Sequence, residues 1–510
     1  MRRNVLLVTA DHMRNDALAC HAAWAPPWGL AHAVQTPNLD RLAGEGVTFA
    51  QAFTPNPICV PARACITTGN YSHKCTGRKS NDGRISDDQP KLADLFTRAG
   101  YVTYAVGKLH YVPYSPPGEP RLLHGFQYAE LHEEGRILNK FDPEGKLEGL
   151  EDYHDYLKSA GWGGYARAHG IGNNDVRPAT SPVPVHLHEE AWVAERTIAV
   201  LQRHVQENEG KPFLLWASFS KPHPPYDPPR LYDRIYDPRQ IPAPMGDWDN
   251  QELLQGRDVE LRGRRTVYGW DYLSPQVVQV SRAHYAGLVT FQDAMIGRLL
   301  AWLEESGIAD QTIVIYTSDH GDLLGDLGRF FKTCMFDGAV RIPMIWRVPG
   351  VTAKDGLHVR HQLVGLQDIL PTLCSLTGVC LPRPVDGLDL SLVLQDANAA
   401  GRDIFVSQTH ERRGGGQKYM VRTHAWKYVY CELDGAEELY NTRRIDGELT
   451  NLAMDPAYAS VMRELRAYLV RWCQEHEDHD MVRDGRLAMT PARELPTLEF
   501  SANRLGWRRY

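Results

Sequence analysis

Short, unbroken apolar runs recur along the first three quarters of the chain: Asn4 to Ala10, Val102 to Val106, Phe213 to Phe219 and Thr312 to Ser318. Runs of this kind, apolar at every position, read as strands buried on both faces, the habit of a parallel sheet. They alternate with stretches of helical period at Thr36 to Ala52, Pro90 to Gly100 and Ala283 to Gly307. The alternation predicts an α/β fold, a large mostly parallel sheet flanked by helices. Between about Tyr111 and Pro184, and again from Tyr226 to Pro275, the period is lost and Gly, His and charged residues accumulate, which predicts long insertions that shape a pocket. From about Leu381 the pattern changes to short alternating strands, such as Tyr419 to Arg422 and Trp426 to Cys431, followed by a helical stretch from Ala457 to Glu475. Two domains are expected: a large α/β domain over 1–380, and a smaller C-terminal α+β domain with a tail over 381–510.

Composition narrows the function classes. The 510 residues are 43% hydrophobic and 23% charged, enough to bury a large core, and the formal charge of -7 provides no basic field for nucleic acid or an acidic membrane. No run approaches the roughly 20 apolar residues that span a bilayer, and Val5-Leu6-Leu7-Val8 is too short for a signal peptide. Nine cysteines, an odd number without the spacing of a disulfide framework, favour a reducing compartment, so a cytoplasmic location is expected. The expected partner is a small molecule. The aromatic and basic end, Phe500 to Tyr510, is a candidate surface for a homo-oligomer.

Reactive residues fall where open α/β sheets bind ligands, at the carboxyl ends of strands. Asn4 to Ala10 leads into Asp11-His12 and Thr312 to Ser318 into Asp319-His320, so two separate runs each deliver an Asp-His pair. Two carboxylates and two imidazoles converging there would make a four-ligand site for one divalent cation. The other two runs lead into Gly107-Lys108-Leu109-His110 and Ser220-Lys221-Pro222-His223. Cations beside a metal are needed where an anion is bound and its developing charge neutralised.

Cys59-Val60-Pro61-Ala62-Arg63 places a cysteine just before a proline expected at the first helical position, so Cys59 is expected at a helix N-terminus, where unpaired N–H groups favour negative charge. The order Cys-x-Pro-x-Arg with Thr68-Gly69 downstream resembles the signature of the sulfatase family, within the wider alkaline phosphatase superfamily. Further segments carry the resemblance along the chain: Thr36-Pro37-Asn38-Leu39-Asp40-Arg41-Leu42, Gly-Lys-x-His, Pro222-His223, Thr317 to Gly325 and Leu439-Tyr440-Asn441. The chain is similar also to phosphonate monoester hydrolases.

What the resemblance implies is specific. Cys59 would be converted to formylglycine by a formylglycine-generating enzyme, and its hydrated aldehyde would be the nucleophile. Asp11, His12, Asp319 and His320, with the modified Cys59, would hold one divalent metal, calcium by family habit and manganese as the alternative. Arg63 and Lys108 would steady the nucleophile, Lys108 and Lys332 would hold the substrate oxygens, His223 would protonate the leaving alcohol, and His110 would take the proton that releases sulfate. Three positions depart from the family pattern: Ala62 in place of Ser, His12 in place of Asp, Gln or Asn, and Leu327 in place of His. The expected activity is hydrolysis of a sulfate monoester, the alternative being a phosphonate monoester or phosphate diester. Phosphonate-specialised relatives tend to lack the Lys and His that Lys108 and His110 supply.

Overall fold

The computed structural model describes residues 2–246, 270, 273–352, 356–410, 416–444 and 446–491. Its strands, in chain order, are β1 (Asn4–Asp11), β2 (Val47–Phe49), β3 (Ala52–Phe53), β4 (Val102–Gly107), β5 (Tyr128–Leu131), β6 (Phe213–Pro222), β7 (Thr312–Ser318), β8 (Met344–Arg347), β9 (Val359–Arg360), β10 (Val364–Gly365), β11 (Phe405–His410), β12 (Gln417–Arg422), β13 (Trp426–Cys431), β14 (Glu437–Asn441), β15 (Val482–Arg483) and β16 (Arg486–Leu487). Among the described residues the main sheet has eight strands in the order β5-β4-β6-β1-β7-β8-β2-β9. It is mostly parallel, with β8 antiparallel to both β7 and β2.

The central strands are buried along their length, as the unbroken apolar runs require. On one face the helices Glu189–Glu207 and Pro275–Glu305 cover Leu6, Val8, Leu215 and Val314. On the other, Cys59–Thr68, Leu92–Arg98 and Ile369–Thr377 cover Val5, Leu7, Trp216 and Ile315. The long helix begins where Ser274 accepts the N–H of Val277 with Pro275 at its first position, a combination that satisfies an orphan donor and presets φ.

Register decides where the strands deliver their ends. Thr9 lies beside both Ser218 and Thr317, and Gly107 beside Ser218, so the carboxyl ends of β1, β4, β6 and β7 finish at one level. Gly107 has φ +98, and a Cβ there would stand 2.0 Å from the carbonyl oxygen of Ser218, so only glycine lets β4 close on β6 just before Lys108.

Two sequence expectations are corrected. The stretch Thr36 to Ala52 is not one helix: it closes at Gly44 and continues as β2 and β3. Gly46 marks the break, since a Cβ there would meet the carbonyl oxygen of Trp346 at 2.3 Å. The segment Tyr111 to Pro184 contains β5 and the helices Arg136–Phe141 and Asp152–Ser159, elements too short to show a period. Much of Tyr226 to Pro275, and the tail Phe500 to Tyr510, lie outside the described residues.

Strands β11 to β14 form a separate antiparallel sheet, with the helix Ala459–Glu475 packed on it through Leu465, Leu469 and Trp472. Its other face packs through Phe405, Met420 and Val429 on Phe53 of β3, which pairs with β10 in a two-stranded sheet, and on Leu323 and Phe336 from the loops after β7. No helix among the described residues is long and apolar enough to cross a membrane.

Candidate active site

The helix Cys59–Thr68 aims its first turn at the level carboxyl ends of the strands. It starts at Cys59, two residues earlier than the proline pattern implied; Pro61 is its third residue. The N–H of Val60 is capped from outside the helix, by Oδ1 of Asn81 at 3.1 Å, and the far end closes on Gly69 in the left-handed conformation. Cys59 is 2% exposed. Its Sγ lies 3.2 Å from Nε2 of His320, 3.3 Å from Nζ of Lys332 and 3.8 Å from Oδ1 of Asp11.

Ligand atoms of Asp11, His12, Cys59 and His320 all fall within 4.8 Å of one another. Both imidazoles are turned for coordination. Nδ1 of His12 bonds Oδ2 of Asp322 at 2.7 Å, and Nδ1 of His320 bonds the carbonyl oxygen of Gly321 at 3.0 Å, which places the proton of each neutral ring on Nδ1. In the neutral form each Nε2 would present a lone pair to the cluster, the orientation a metal ligand needs; against burial, Asp319 and Cys59 draw the pKa of His320 above the usual histidine range, so an ion there would displace a proton from it. Asp319 stands beside this group, 3.6 Å from His320 Nε2, with its second oxygen accepting from Nε of Arg63 at 2.9 Å. The donor set of carboxylates and imidazoles fits a divalent cation.

Cations interleave with these acids. Arg63 also donates to the carbonyl oxygen of Lys108 at 2.5 Å and to Oγ of Ser218 at 2.8 Å. Lys108 bonds Oδ2 of Asp11 closely and Oε2 of Glu134 at 2.7 Å. Burial and Arg136 oppose its charge, yet Asp11 and Glu134 hold its pKa above the usual lysine range. Burial and Asp11 disfavour a thiolate at Cys59, but Lys332, His320 and Lys108 outweigh them and lower its pKa. The groups in contact balance as four carboxylates (Asp11, Asp319, Asp322 and Glu134) against four cations (Arg63, Lys108, Arg136 and Lys332). A divalent ion would tip the centre positive, as an anionic substrate requires.

A family model of the sulfatases matches residues 3–379, nearly three quarters of the sequence. The chain belongs to the sulfatase family. A second model, N-sulphoglucosamine sulphohydrolase, C-terminal, matches residues 325–475. An arylsulfatase of Clostridium perfringens is 32% identical over 94% of this chain and 96% of its own length. A choline-sulfatase of Rhizobium meliloti is 28% identical, covering 93% of this chain and 88% of its own. Among solved structures, a phosphonate monoester hydrolase from Silicibacter pomeroyi superposes with a TM-score of 0.79 at 24% identity, covering 94% and 97% of the two chains.

In this sulfatase the residues singled out in the sequence take distinct places. Asp11, His12, Cys59, His320 and Lys332 converge, with Asp319, Arg63 and Lys108 in direct contact with that group. The ring of His223 meets that of His12 edge-on at 4.3 Å, and its Nδ1 lies 2.7 Å from the carbonyl oxygen of Pro224 and 3.2 Å from Glu134. His110 lies to one side, stacked parallel to Tyr114 at 6.3 Å, and its buried Nδ1 has no hydrogen-bond partner among the described residues. Burial, with Arg136 and Lys108 nearby, holds His110 neutral, well below the usual histidine range. Leu327 takes a positive φ of 53 and packs with Met245 and Leu323.

Sequence reasoning missed Asp322, Glu134 and Arg136. Asp322 could have been found as a third acid three residues beyond Asp319; Glu134 and Arg136 sit in the aperiodic stretch, and no spacing pointed to them. Lys221, paired with Asp227 at 2.6 Å and Glu189 at 3.1 Å, belongs to a buried network behind the centre.

Proposed function

We propose that this sulfatase hydrolyses a sulfate monoester of a small organic alcohol, phenol or sugar, with Cys59 converted to formylglycine as its nucleophile. The observation that carries the reading is Cys59 itself, buried at the start of its helix with a lysine, an imidazole and a carboxylate within 4 Å. A hydrated formylglycine there would offer one hydroxyl to attack sulfur and a second to expel sulfate, and a divalent metal on Asp11, His12, Asp319 and His320 would acidify the first.

The chain's own groups do the rest. Lys108 and Lys332 hold the sulfuryl oxygens as charge redistributes, and Arg63 fixes Asp11 and Asp319 in place. His223 delivers a proton from Nε2 to the departing alcohol, its Nδ1 being engaged by Pro224 and Glu134. Burial leaves His223 neutral in the resting site, well below the usual range, so it takes up that proton from water as the anionic ester, which favours the imidazolium, binds beside it. His110, neutral and with Nδ1 open, takes the proton whose loss releases sulfate.

All these groups fall within 1–380, the span assigned to catalysis, with 381–510 as the smaller domain. Nine cysteines, an odd number without the spacing of a disulfide framework, support a reducing, cytoplasmic setting, with a formylglycine-generating enzyme as the maturation partner. The similarity in fold to a phosphonate monoester hydrolase favours a second reading, hydrolysis of a phosphonate monoester or phosphate diester at the same nucleophile. The presence of Lys108 and His110 argues for sulfate.

Side-by-side kcat/KM on p-nitrophenyl sulfate and a phenyl phosphonate monoester, with Cys59 conversion quantified by mass spectrometry, separates the two. A sulfate preference of tenfold or more, about 1.4 kcal/mol in transition-state binding, supports the first reading. A preference for the phosphonate overturns it.

A further inference from the structure

We propose that His132, Glu151 and His154 form a second metal site, outside the catalytic centre, that takes a divalent transition ion with the borderline softness of zinc. His132 follows β5, where its N–H bonds the carbonyl oxygen of Gly107 at 3.0 Å. Glu151 directly precedes the helix Asp152–Ser159, and His154 is that helix's third residue. Glu-x-x-His puts the two side chains on one side of a helix turn, a spacing that holds metals when both project inward.

The geometry is close to a coordination sphere. Oε2 of Glu151 lies 3.9 Å from Nδ1 of His132 and 3.9 Å from Nε2 of His154, and the three atoms fall within 4.8 Å of one another. Tetrahedral ligands about 2.1 Å from zinc sit roughly 3.4 Å apart, so each Glu151–histidine pair at 3.9 Å must close by about half an ångström, and the two imidazole nitrogens, within 4.8 Å of each other, by at most about 1.4 Å. A small cavity of about 10 Å³ adjoins the two imidazoles on the side away from Glu151, which does not line it.

The protonation pattern points the same way. Nε2 of His132 bonds the carboxylate of Glu189 closely, so the proton of a neutral ring sits there, and Nδ1, which has no hydrogen-bond partner, turns a lone pair toward Glu151. A carboxylate behind a ligating imidazole is the usual support of a metal histidine. Glu151 is immobilised by the N–H groups of Glu133 at 2.9 Å, Gly135 at 3.0 Å, Ile137 at 2.9 Å and Leu138 at 3.5 Å. Burial keeps His154 neutral, with its pKa at about 4. Arg167 lines the same cavity but is paired with Asp227 at 3.0 Å. Two nitrogens and one oxygen select against calcium and magnesium.

The ion would staple the helix Asp152–Ser159 to the segment His132-Glu133-Glu134, which carries Glu134 to Lys108 and His223. The site stands whether or not the proposed substrate is right. Its test is metal content after chelation and reloading with zinc, measured on the full chain carrying Asp11→Asn to weaken the catalytic cluster, which keeps His12, Cys59 and His320, with and without His154→Ala. One more zinc per chain without His154→Ala than with it, together with a zinc-induced rise in melting temperature that His154→Ala removes, is the expected result. No bound zinc in the Asp11→Asn chain, or the same zinc content in both, overturns the proposal. Should His154→Ala fail to fold, His154→Gln keeps the packing and removes the ring nitrogen, and the same outcomes apply.

Discussion

Oδ2 of Asp322 lies 2.7 Å from Nδ1 of His12, with both groups fully buried. Burial disfavours the ionised carboxylate, yet the hydrogen bond from His12 keeps the pKa of Asp322 below the usual range. The acid thereby holds the His12 proton on Nδ1 and points Nε2 at the metal cluster. Asp322→Ala should weaken metal binding by about 10- to 100-fold, the usual cost of losing such a support, with kcat largely restored at saturating metal. Titration of activity against free metal reads this directly. An unchanged metal midpoint would show that Asp322 does not orient His12.

His12 itself brings a nitrogen into a position where the resemblance implies an oxygen or amide donor. Manganese tolerates a mixed nitrogen and oxygen sphere better than calcium, which prefers oxygen alone. The ratio of manganese- to calcium-supported activity should therefore fall in His12→Asp relative to the parent chain. An unaltered ratio would place His12 outside the coordination sphere.

Cys59 is buried within a helix of the folded chain. A modifying enzyme needs access to the backbone around its target, so conversion must precede closure of the fold. Co-expression with the modifying enzyme should give extensive conversion by mass spectrometry, whereas incubating folded, unconverted protein with it should give little. Cys59→Ala should lose at least about 10³-fold in kcat, because the nucleophile acts as a unit with the groups around it. Equal conversion before and after folding would contradict the burial argument.

The elements that position the centre were legible because each strand is a complete apolar run that stops at a reactive residue. β1 and β7 end where the pattern ended, give or take a residue, and deliver Asp11 and Asp319. What stayed hidden depends on contacts far apart in sequence. Glu134 meets Lys108 across 26 positions and Asp322 meets His12 across 310, and neither separation leaves a mark on local periodicity. The helix expected over Thr36 to Ala52 overran because Val47 and Phe49 continue the apolar count after the chain has turned at Gly46 into a strand.

His223 is the group placed to protonate the leaving alcohol, and that role has a kinetic signature. Its removal should matter little for a leaving group such as p-nitrophenolate, which departs without a proton, and much for an alkyl or unactivated phenyl sulfate. His223→Ala should lose about 10²- to 10⁴-fold on the poor leaving group, the typical worth of general-acid catalysis, and far less on p-nitrophenyl sulfate. A uniform loss across a series of phenols would reassign His223 to binding.

Behind the centre, Asp227 bonds Nζ of Lys221 at 2.6 Å and the guanidinium of Arg167 at 3.0 Å, all three nearly or fully buried. Burial pushes against ionisation, but Lys221 and Arg167 lower the pKa of Asp227 to about 2. A depressed folded-state pKa contributes stability that is present above the unfolded value near 4 and lost as pH falls toward 2, worth about 2 kcal/mol at neutral pH. Asp227→Asn leaves Lys221 to Glu189 alone and should destabilise the protein by a few kcal/mol near pH 7. The gap between parent and variant in urea midpoint should narrow as pH drops from about 4 to 2. A gap that stays constant over that range would mean that the charge of Asp227 contributes nothing to stability, and that the cost of the substitution is steric.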